Sequence, residues 1–392
     1  MKITEWAIDC DTHITEPGDV WTSRLPARFA DRAPHMVRTP EGRDEWRFGG
    51  YERPVPVGAT AVAGWPEPFP SMPQNMDEIP AAAHDAKARL ALMDEIGVWA
   101  CALYPNIGGF GNEGFLGLGD PELMLACVRA YNDWLIEWTD PDPRRFIPIM
   151  ATPFWDIDAT VTEIRRAAEA GHRGILFTGE PQAYGLPVLG DGHWDPLWSL
   201  ACELDLSVNF HIGSADFTSD FDPARLAAHG AGPTLVRTSV RLFLGNAEQV
   251  TDLVMSGVLP RYPDLRVVTV ESGIGWLGFL IEAMDYCASY SSISTERPAF
   301  AKKPSEYLAE QVYACFFFEQ DAPGHVIERL GRSDRLLWET DYPHPVCLHG
   351  DVRGAIDASL GDLDAVAQRQ ILFDNAAELY RVPAPDRPWA PG

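Results

Sequence analysis

Positive charge is scarce in this sequence. Its 31 lysine and arginine residues stand against 57 aspartate and glutamate residues, which gives a formal net charge of −26. A strongly acidic surface repels phosphate backbones and anionic lipid, so neither a nucleic acid nor a membrane surface is an expected partner. The expected partner is a small-molecule substrate.

Paired cysteines and long apolar runs are also missing. The seven cysteines are scattered without a CxxC pair, at positions 10, 101, 127, 202, 287, 315 and 347. That pattern is typical of reduced thiols rather than of a disulfide framework or a zinc knuckle, and it indicates a cytoplasmic protein. The N-terminal MKITEWAIDCDTH has no apolar signal-peptide core, and no uninterrupted apolar run is long enough to span a bilayer.

Two common catalytic and cofactor motifs are absent as well. The sequence contains no GxSxG or Ser-His-Asp arrangement, so serine hydrolase chemistry is not expected. The glycine-rich segment GGFGNEGFLGLGD (108–120) follows an apolar run, but it lacks the GxGxxG spacing and the acidic partner of a dinucleotide site. We therefore predict neither a nucleotide cofactor nor a nucleophilic serine.

What the sequence does contain is a series of short, apolar, β-rich runs that alternate with helical patterns. The runs are WAIDCDTH (6–13), WACALYP (99–105), RFIPIMATP (145–153), RGILFTG (173–179), LSVNFHIG (206–213), RVVTVESG (266–273), VYACFFF (312–318) and RLLWETDYP (335–343). Nearly continuous apolar strands between helices predict a parallel sheet covered on both faces. Eight such units favour an α/β fold closed into a distorted (β/α)8 TIM barrel, with an open doubly wound sheet as the alternative. One domain over 1–392 can absorb the whole length.

Two stretches interrupt this alternation, at about 14–83 and 212–246. The first is rich in proline and glycine, and the second is a long connection after the fifth strand. Loops of this length in a compact domain are often lids or binding walls, so we expect insertions at the C-terminal face of the barrel. Contacts within a homodimer are the alternative.

Four of the apolar strands end in residues that can bind a metal ion. Strand 1 ends in Asp9, Asp11 and His13 on one face, strand 5 in His211, strand 6 in Glu271, and strand 8 in Asp341 with His344 just beyond. In a barrel these ends face the active-site mouth. Each residue alone has an ordinary structural explanation, such as a turn or a helix cap. Together they favour a metal site, since buried acidic clusters are costly unless a cation neutralises them.

Six segments carry a further signal. They are DCDTHITEPGDVW (9–21), RLALMDEIGVWACALYPN (89–106), HWDPLWSLACELDLSVNFHIGS (193–214), GVLPRYPDLRVVTVESGIGW (257–276), LLWETDYPHP (336–345) and FDNAAELY (373–380). Together they resemble the amidohydrolase superfamily, in the branch of the aminocarboxymuconate-semialdehyde decarboxylase-like proteins. The resemblance covers nearly the whole chain and implies a distorted (β/α)8 barrel.

The resemblance also implies roles for individual residues. The family's strand 1 pattern, Asp-x-His-x-His, places metal ligands at Asp11 and His13, and its strand 5 histidine falls on His211. Its strand 8 aspartate, which binds metal and can take a proton from bound water, falls on Asp341. Its strand 6 histidine, which contacts substrate or acts as a base, falls on Glu271. Asp11 and Glu271 both replace imidazoles, which leaves the metal count open and weighs against the decarboxylase mechanism.

The charge of the predicted ligands limits what they can hold. Asp11, Glu271 and Asp341 supply three negative charges if all are ionised. One divalent ion leaves the cluster at −3 + 2 = −1, whereas two ions with a bridging hydroxide leave −3 + 4 − 1 = 0. Zinc is favoured, and a carboxylate-rich site also suits iron or manganese. Asp341 and Glu271 are then candidate catalytic groups, and His344 is a candidate proton donor to a leaving group.

Three further residues are predicted to contact substrate. Tyr104 and Asn106 lie at the end of the second strand, and Trp276 follows the sixth. We expect a metal-dependent hydrolase that uses metal-activated water on a bulky apolar ester, thioester, lactone or amide, because three carboxylates repel a free acid. The thioester of coenzyme A fits weakly, since no basic cluster marks a phosphate site. The alternatives are a metal-dependent, non-oxidative decarboxylase or hydratase of an aromatic or unsaturated acid, and a barrel that only binds its ligand.

Overall fold

A parallel barrel dominates the computed structural model, which describes residues 3–48, 54–214, 222–296 and 300–390. With strands numbered in chain order, β2 (His35–Arg38), β3 (Asp44–Arg47) and β4 (Val55–Pro56) form a small antiparallel sheet. The barrel strands are β1 (Ala7–His13), β5 (Val98–Tyr104), β6 (Phe146–Met150), β7 (Gly174–Leu176), β8 (Ser207–His211), β9 (Val267–Val270), β10 (Val312–Phe316) and β11 (Leu336–Trp338). They are parallel neighbours in chain order. The predicted (β/α)8 TIM barrel is confirmed.

Helices connect the barrel strands and cover the outside of the barrel. They are α1 (Ala86–Ile96), α2 (Pro121–Trp138), α3 (Ile157–Ala170), α4 (Asp195–Glu203), α5 (Pro223–His229), α6 (Ala231–Met255), α7 (Val258–Arg261), α8 (Trp276–Ser289), α9 (Ile293–Glu296), α10 (Pro304–Gln311), α11 (Ala322–Leu330), α12 (Val352–Leu360), α13 (Ala365–Arg369) and α14 (Asn375–Tyr380). Asp85, Asp120 and Asp156 start α1, α2 and α3 by accepting hydrogen bonds from first-turn amides. Left-handed glycines at 97 and 171 end α1 and α3.

The interior of the barrel is packed with side chains and closed at its lower end by the C-terminal segment. Tyr380 of α14 belongs to the interior core and donates its hydroxyl to Asn209 Oδ1 at 2.9 Å. The indole of Trp6 donates to the carbonyl oxygen of Arg387 at 2.8 Å, and the indole of Trp389 donates to that of Asp94 at 3.0 Å. The tail therefore lies as a strap beneath the starts of β1 and β5.

The barrel closes between β1 and the segment that follows β11. The amide of His13 donates to Tyr342 O at 2.8 Å, and the amide of Asp341 donates to Asp11 O at 3.0 Å. The Asp9 carboxylate accepts two more bonds, from the Thr340 amide at 2.8 Å and from its hydroxyl at 2.6 Å. The strand register is irregular between Asp9 and Thr12. Asp9 was expected on the same face as Asp11 and His13, but its carboxylate is used at the seam.

The two predicted insertions have different structures. Within 14–83 lie the small antiparallel sheet and several short turns, and the buried indole of Trp21 donates to Cys127 O of α2 at 3.1 Å. The stretch 212–246, expected as a loop, is mostly helix in its described part, because it contains α5 and most of α6. Pro233 is tolerated there since it lies in the first turn of α6. Residues 215–221 of this stretch lie outside the described residues.

Among the described residues, no helix combines the length and the apolar character that crossing a bilayer requires.

The seam between β1 and β11 generates a stability prediction. Thr340→Val removes the hydroxyl donor and leaves a buried Asp9 oxygen without its partner, which costs about 1–3 kcal/mol. For a chain of this length we expect the thermal midpoint to fall by about 1–4 °C in differential scanning calorimetry. The control is Thr162→Val on the exposed face of α3, which should shift the midpoint by less than about 1 °C. Equal shifts of the thermal midpoint in the two variants would show that the hydrogen bond from Thr340 to Asp9 does not stabilise the fold.

Candidate metal centre

The predicted ligands come together at the carboxyl ends of β1, β8, β9 and β11. Two overlapping groups of four have ligand atoms within 4.8 Å of one another, namely Asp11, His13, His211 and Glu271, and then His13, Glu271, Asp341 and His344. Asp11, His13, His211 and Asp341 have no exposed surface, and Glu271 and His344 are 7% and 8% exposed. Access to the cluster is therefore from the side of Glu271 and His344.

The two central histidines turn the same nitrogen into the cluster. His13 Nδ1 lies 3.2 Å from Pro105 O, and His211 Nδ1 lies 2.7 Å from Ile212 O. A carbonyl oxygen can only accept, so both Nδ1 atoms carry the proton and both Nε2 atoms face inward. These two Nε2 atoms are 3.1 Å apart. Two lone pairs at that distance repel unless a proton or a cation lies between them.

The carboxylates of the cluster add further acceptor atoms that receive no hydrogen bond. Both side-chain oxygens of Asp11 and both of Asp341 are buried without a hydrogen-bond partner. Asp11 Oδ1 lies 3.4 Å from His13 Nε2 and 3.6 Å from His211 Nε2, and Asp341 Oδ1 lies 3.5 Å from His13 Nε2. Unpartnered buried oxygens are rare in folded proteins. Carboxylate oxygens beside imidazole nitrogens are the donor set that divalent transition metals bind, so the residues fit such an ion.

Backbone strain marks two of the candidate ligands. Glu271 has a φ of 61° and Asp341 a φ of 60°, which is the left-handed region that side chains other than glycine rarely adopt. Such conformations persist where surrounding contacts enforce them, and they are common at functional sites. Here the Glu271 amide donates to Glu339 Oε2 at 3.2 Å, and the Asp341 amide is held by β1 across the seam. The fold thus fixes the direction of both carboxyl groups.

Burial and the neighbouring charges shift the pKa values of the cluster residues in different directions. Burial raises the pKa of Glu271 and that of Asp341 well above their ordinary values, and a nearby carboxylate raises each further. Burial also lowers the pKa of His13 to about 3. Although burial opposes both shifts, attraction between Asp11 and His211 lowers the pKa of Asp11 and raises that of His211. Without a cation, the contact between Asp11 and His211 thus favours their charged forms, whereas burial favours the protonated forms of Glu271 and Asp341.

Asn106 contacts the cluster through His344. Its amide nitrogen donates to Ile14 O at 2.8 Å, which turns Oδ1 toward His344 Nε2, also at 2.8 Å. The Asn106 backbone amide donates to the buried Glu16 carboxylate at 2.8 Å. His344 Nδ1 then faces Asp341 Oδ1, 2.7 Å away. Asn106 was predicted to contact substrate, and the structure places its side chain behind His344.

The other two predicted substrate residues lie in different positions. Tyr104 is fully buried beneath the cluster, with its ring centroid 5.3 Å from that of His211 and its hydroxyl 3.3 Å from Asn209 Oδ1. That position makes it part of the floor of the site. Trp276 is partly buried at the start of α8, where its indole donates to Ser272 O at 3.2 Å and its ring packs against the core. A substrate contact by Trp276 stays a prediction.

Three residues around the cluster were not anticipated from the sequence. Phe110 stacks on His211 with ring centroids 4.5 Å apart and also meets His13 edge-on at 5.3 Å. The buried Arg89 guanidinium donates to His13 O at 2.6 Å. Glu339 is buried beside Glu271. Only Glu339 had a signal, because alternation along a strand places it on the same face as Asp341. Nothing in the pattern around Phe110 or Arg89 indicated their positions.

The fold and the cluster together define a barrel enzyme with a site for a divalent metal at the carboxyl ends of its strands. A family model described as amidohydrolase matches residues 8–382, and the chain belongs to this family. The branch is that of the decarboxylases related to 2-amino-3-carboxymuconate-6-semialdehyde decarboxylase. The resemblance inferred from the sequence segments is therefore confirmed.

Individual relatives agree with this placement. Gamma-resorcylate decarboxylase from Polaromonas sp. is 26% identical over 302 residues, which cover 75% of this chain and 86% of the relative. An amidohydrolase structure from Mycobacterium avium subsp. paratuberculosis superposes with a TM-score of 0.75 at 24% identity, over 96% of this chain and 100% of the other. The dihydroxybenzoic acid decarboxylase structure from Polaromonas sp., with bound manganese and 2-nitroresorcinol, gives a TM-score of 0.66 at 18% identity over 96% and 97%. Both of these solved structures share the fold of this chain.

The cluster generates a prediction about metal and stability. A divalent ion removes the repulsion among the buried oxygens and Nε2 atoms, so Mn²⁺ should stabilise the fold. At 100 times its dissociation constant the ion contributes about 2.7 kcal/mol, or a rise of about 3 °C in the thermal midpoint of the chelator-treated protein. His211→Gln should abolish most of this rise. His172→Gln, which removes a buried histidine outside the cluster, should preserve it. A rise that is equal in both variants would place the ion elsewhere.

Proposed function

We propose that this protein is a metal-dependent, non-oxidative decarboxylase of an aromatic carboxylic acid. The observation that carries the proposal is the named activity of its curated relatives, of which gamma-resorcylate decarboxylase aligns over three quarters of this chain. A second relative, 2-amino-3-carboxymuconate-6-semialdehyde decarboxylase from Dictyostelium discoideum, is 23% identical over 272 residues. The geometry of the cluster is compatible with this chemistry in three respects.

The first respect is the metal. Asp11, His13, His211, Glu271 and Asp341 are the residues that would hold a divalent ion. When bound, such an ion attracts a carboxylate and an adjacent phenolic oxygen and stabilises negative charge that develops during reaction. We propose manganese in place of the zinc favoured by the sequence, because hard carboxylate oxygens contribute three of these ligands and a related decarboxylase carries manganese.

The second respect is the source of a proton. Non-oxidative decarboxylation breaks the bond between the ring carbon and the carboxyl carbon, releases carbon dioxide, and places a proton on the ring carbon. Glu271 and Asp341 are adjacent carboxyls, and burial raises the pKa of each well above the ordinary range when no cation is bound, so the one that does not coordinate the ion is the group that holds the proton. Glu271 lies at the accessible edge of the cluster. A general acid is most effective when its pKa is near the working pH.

The third respect is the aromatic wall. Phe110 covers His211 and approaches His13, and the Tyr104 ring lies beneath the same imidazoles. A planar ring can pack against such a surface with its carboxylate directed toward the cluster, since offset and edge contacts between rings are favourable. We propose that Phe110 forms part of the substrate wall, in the role that the sequence suggested for Trp276.

The hydrolase expected from the sequence rested on repulsion between three ionised carboxylates and a free acid. Burial changes that premise, because it favours the protonated forms of Glu271 and Asp341 when no cation is bound. A bound divalent ion would also offset two of the negative charges of the cluster. The charge argument therefore no longer separates the two reactions, and the relatives favour decarboxylation. Hydrolysis remains the second candidate and is an outcome of the test below.

A substrate panel in deuterium oxide tests the reaction class. Hydroxybenzoates and related aromatic acids are incubated with the Mn²⁺-loaded protein, alongside aryl esters, thioesters and lactones. We expect release of carbon dioxide from an acid and one deuterium at the carbon that lost the carboxyl group. Cleavage of an ester, thioester or lactone without turnover of any acid would contradict the proposal and favour hydrolysis. Mass spectrometry and ¹H NMR of the products measure both outcomes.

Two carboxyl variants test the proton source. Asp341→Asn and Glu271→Gln keep the size of each side chain and remove its acidic proton, so we expect turnover to fall by a factor of about 10²–10⁴ with the fold retained. Asp44→Asn is the control, because Asp44 pairs with Arg38 in the small antiparallel sheet outside the cluster. Metal content is measured for each variant. Full turnover in both cluster variants would rule out the pair as the proton donor.

A further inference from the structure

His344 has two ring nitrogens, and each lies close to a side-chain oxygen. Nε2 lies 2.8 Å from Asn106 Oδ1, an atom that can only accept, so Nε2 carries the proton. Nδ1 is then the atom with the free lone pair, and it faces Asp341 Oδ1 at 2.7 Å. The imidazole presents an acceptor to a cluster already rich in acceptors. This arrangement does not suit the proton donor to a leaving group that the sequence suggested.

The ring cannot easily adopt the opposite orientation. The Asn106 amide nitrogen is committed to Ile14 O at 2.8 Å, so its oxygen must face His344. The backbone on either side of the Asn106 carbonyl is held by Glu16 Oε1, which accepts from the amides of Asn106 and Ile107 at 2.8 and 3.0 Å. The His344 ring also stacks on His13, with centroids 3.8 Å apart and planes inclined by 27°.

The same rule governs all three imidazoles of the cluster. His13 and His211 donate their outer nitrogens to backbone carbonyl oxygens, and His344 donates its outer nitrogen to the Asn106 side chain. Histidines that bind metals almost always donate the other ring nitrogen to a protein oxygen, which fixes the ring and raises its basicity. The outer bond of His344 therefore matches those of the two predicted histidine ligands.

We propose that His344 binds the divalent ion through Nδ1 as a third imidazole ligand, and that Asn106 is the positioning residue that holds it there. The second group of four supports this assignment, because a ring nitrogen of His344 lies with the ligand atoms of His13, Glu271 and Asp341 within 4.8 Å, and Nδ1 is the nitrogen that faces Asp341. Both side-chain oxygens of Asp341 are buried without a hydrogen-bond partner, and Oδ1 is the one that lies against this Nδ1. The assignment rests on the metal site of the proposed function and is independent of the reaction.

Pulsed electron paramagnetic resonance of the Mn²⁺-loaded, full-length protein counts the coordinated histidines. With ¹⁵N-labelled histidine, we expect three coupled nitrogens in the unaltered protein and two in His344→Gln. His172→Gln is the matched control, since His172 is also buried and hydrogen bonded to a backbone carbonyl, that of Asn132, and it should retain three. An unchanged count in His344→Gln would overturn the assignment.

Mn²⁺ affinity, measured by competition with a chelator, tests the role of Asn106 separately. Asn106→Leu removes the acceptor for Nε2–H and should weaken Mn²⁺ binding about 10–100-fold, the usual effect of losing an outer partner. Asn106→Asp keeps an acceptor and should lie closer to the unaltered protein. Equal affinities in the two variants would overturn the positioning role, even if His344→Gln fails to fold. If the unaltered protein binds no Mn²⁺ or other divalent ion, the proposed metal site itself is wrong. If the protein decarboxylates its substrate but only two histidines are coordinated, the assignment of His344 alone is rejected.

Discussion

Carboxylate oxygens and imidazole nitrogens face one another inside the mouth of this barrel, in a space that solvent barely reaches. The two inward Nε2 atoms are 3.1 Å apart, and Asp11 and Asp341 present oxygens that no protein donor satisfies. Such an arrangement is unfavourable unless positive charge enters it, either as protons or as a cation. The outer hydrogen bonds of the histidines and the left-handed backbone at Glu271 and Asp341 direct these atoms toward one another, so the surrounding structure enforces the need for positive charge at this place.

The sequence was sufficient to predict the barrel because each buried parallel strand is a short apolar run. Such runs differ clearly from the helical segments between them. It also predicted that the candidate ligands lie together, since strand ends meet at one face of a barrel. It failed at 212–246, which was expected to be a long loop after the fifth strand. In α6, Gly232 and Pro233 lie in the first turn and an added Cβ at Gly245 would meet only open space, so the helix accommodates these residues.

Other features of the site depend on contacts between distant segments and left no local pattern. Asn106 was expected to contact substrate because it is polar and follows a strand. The carbonyl oxygen of Ile14, 92 residues away in the sequence, determines which way its side-chain amide faces. Phe110 reaches the imidazoles because the glycine-rich segment folds over them. The charge argument for hydrolysis lost its force for a related reason: it assigned ordinary ionisation to residues whose burial the sequence does not report. Protonation depends on the three-dimensional environment, and that environment forms only after folding.

The seam that closes the barrel also has a consequence for the order of folding. Asp9 finds its partner in Thr340, 331 residues further along the chain. β1 can pair with β5 early, but its other edge must wait until the last strand has been synthesised. Since loop closure over such distances is slow, the open edge of β1 is exposed to other chains throughout translation. Three of the five predicted metal ligands, Asp11, His13 and Asp341, lie on that strand and on the segment that closes it, so a nascent chain cannot complete the site before the segment after β11 has been synthesised.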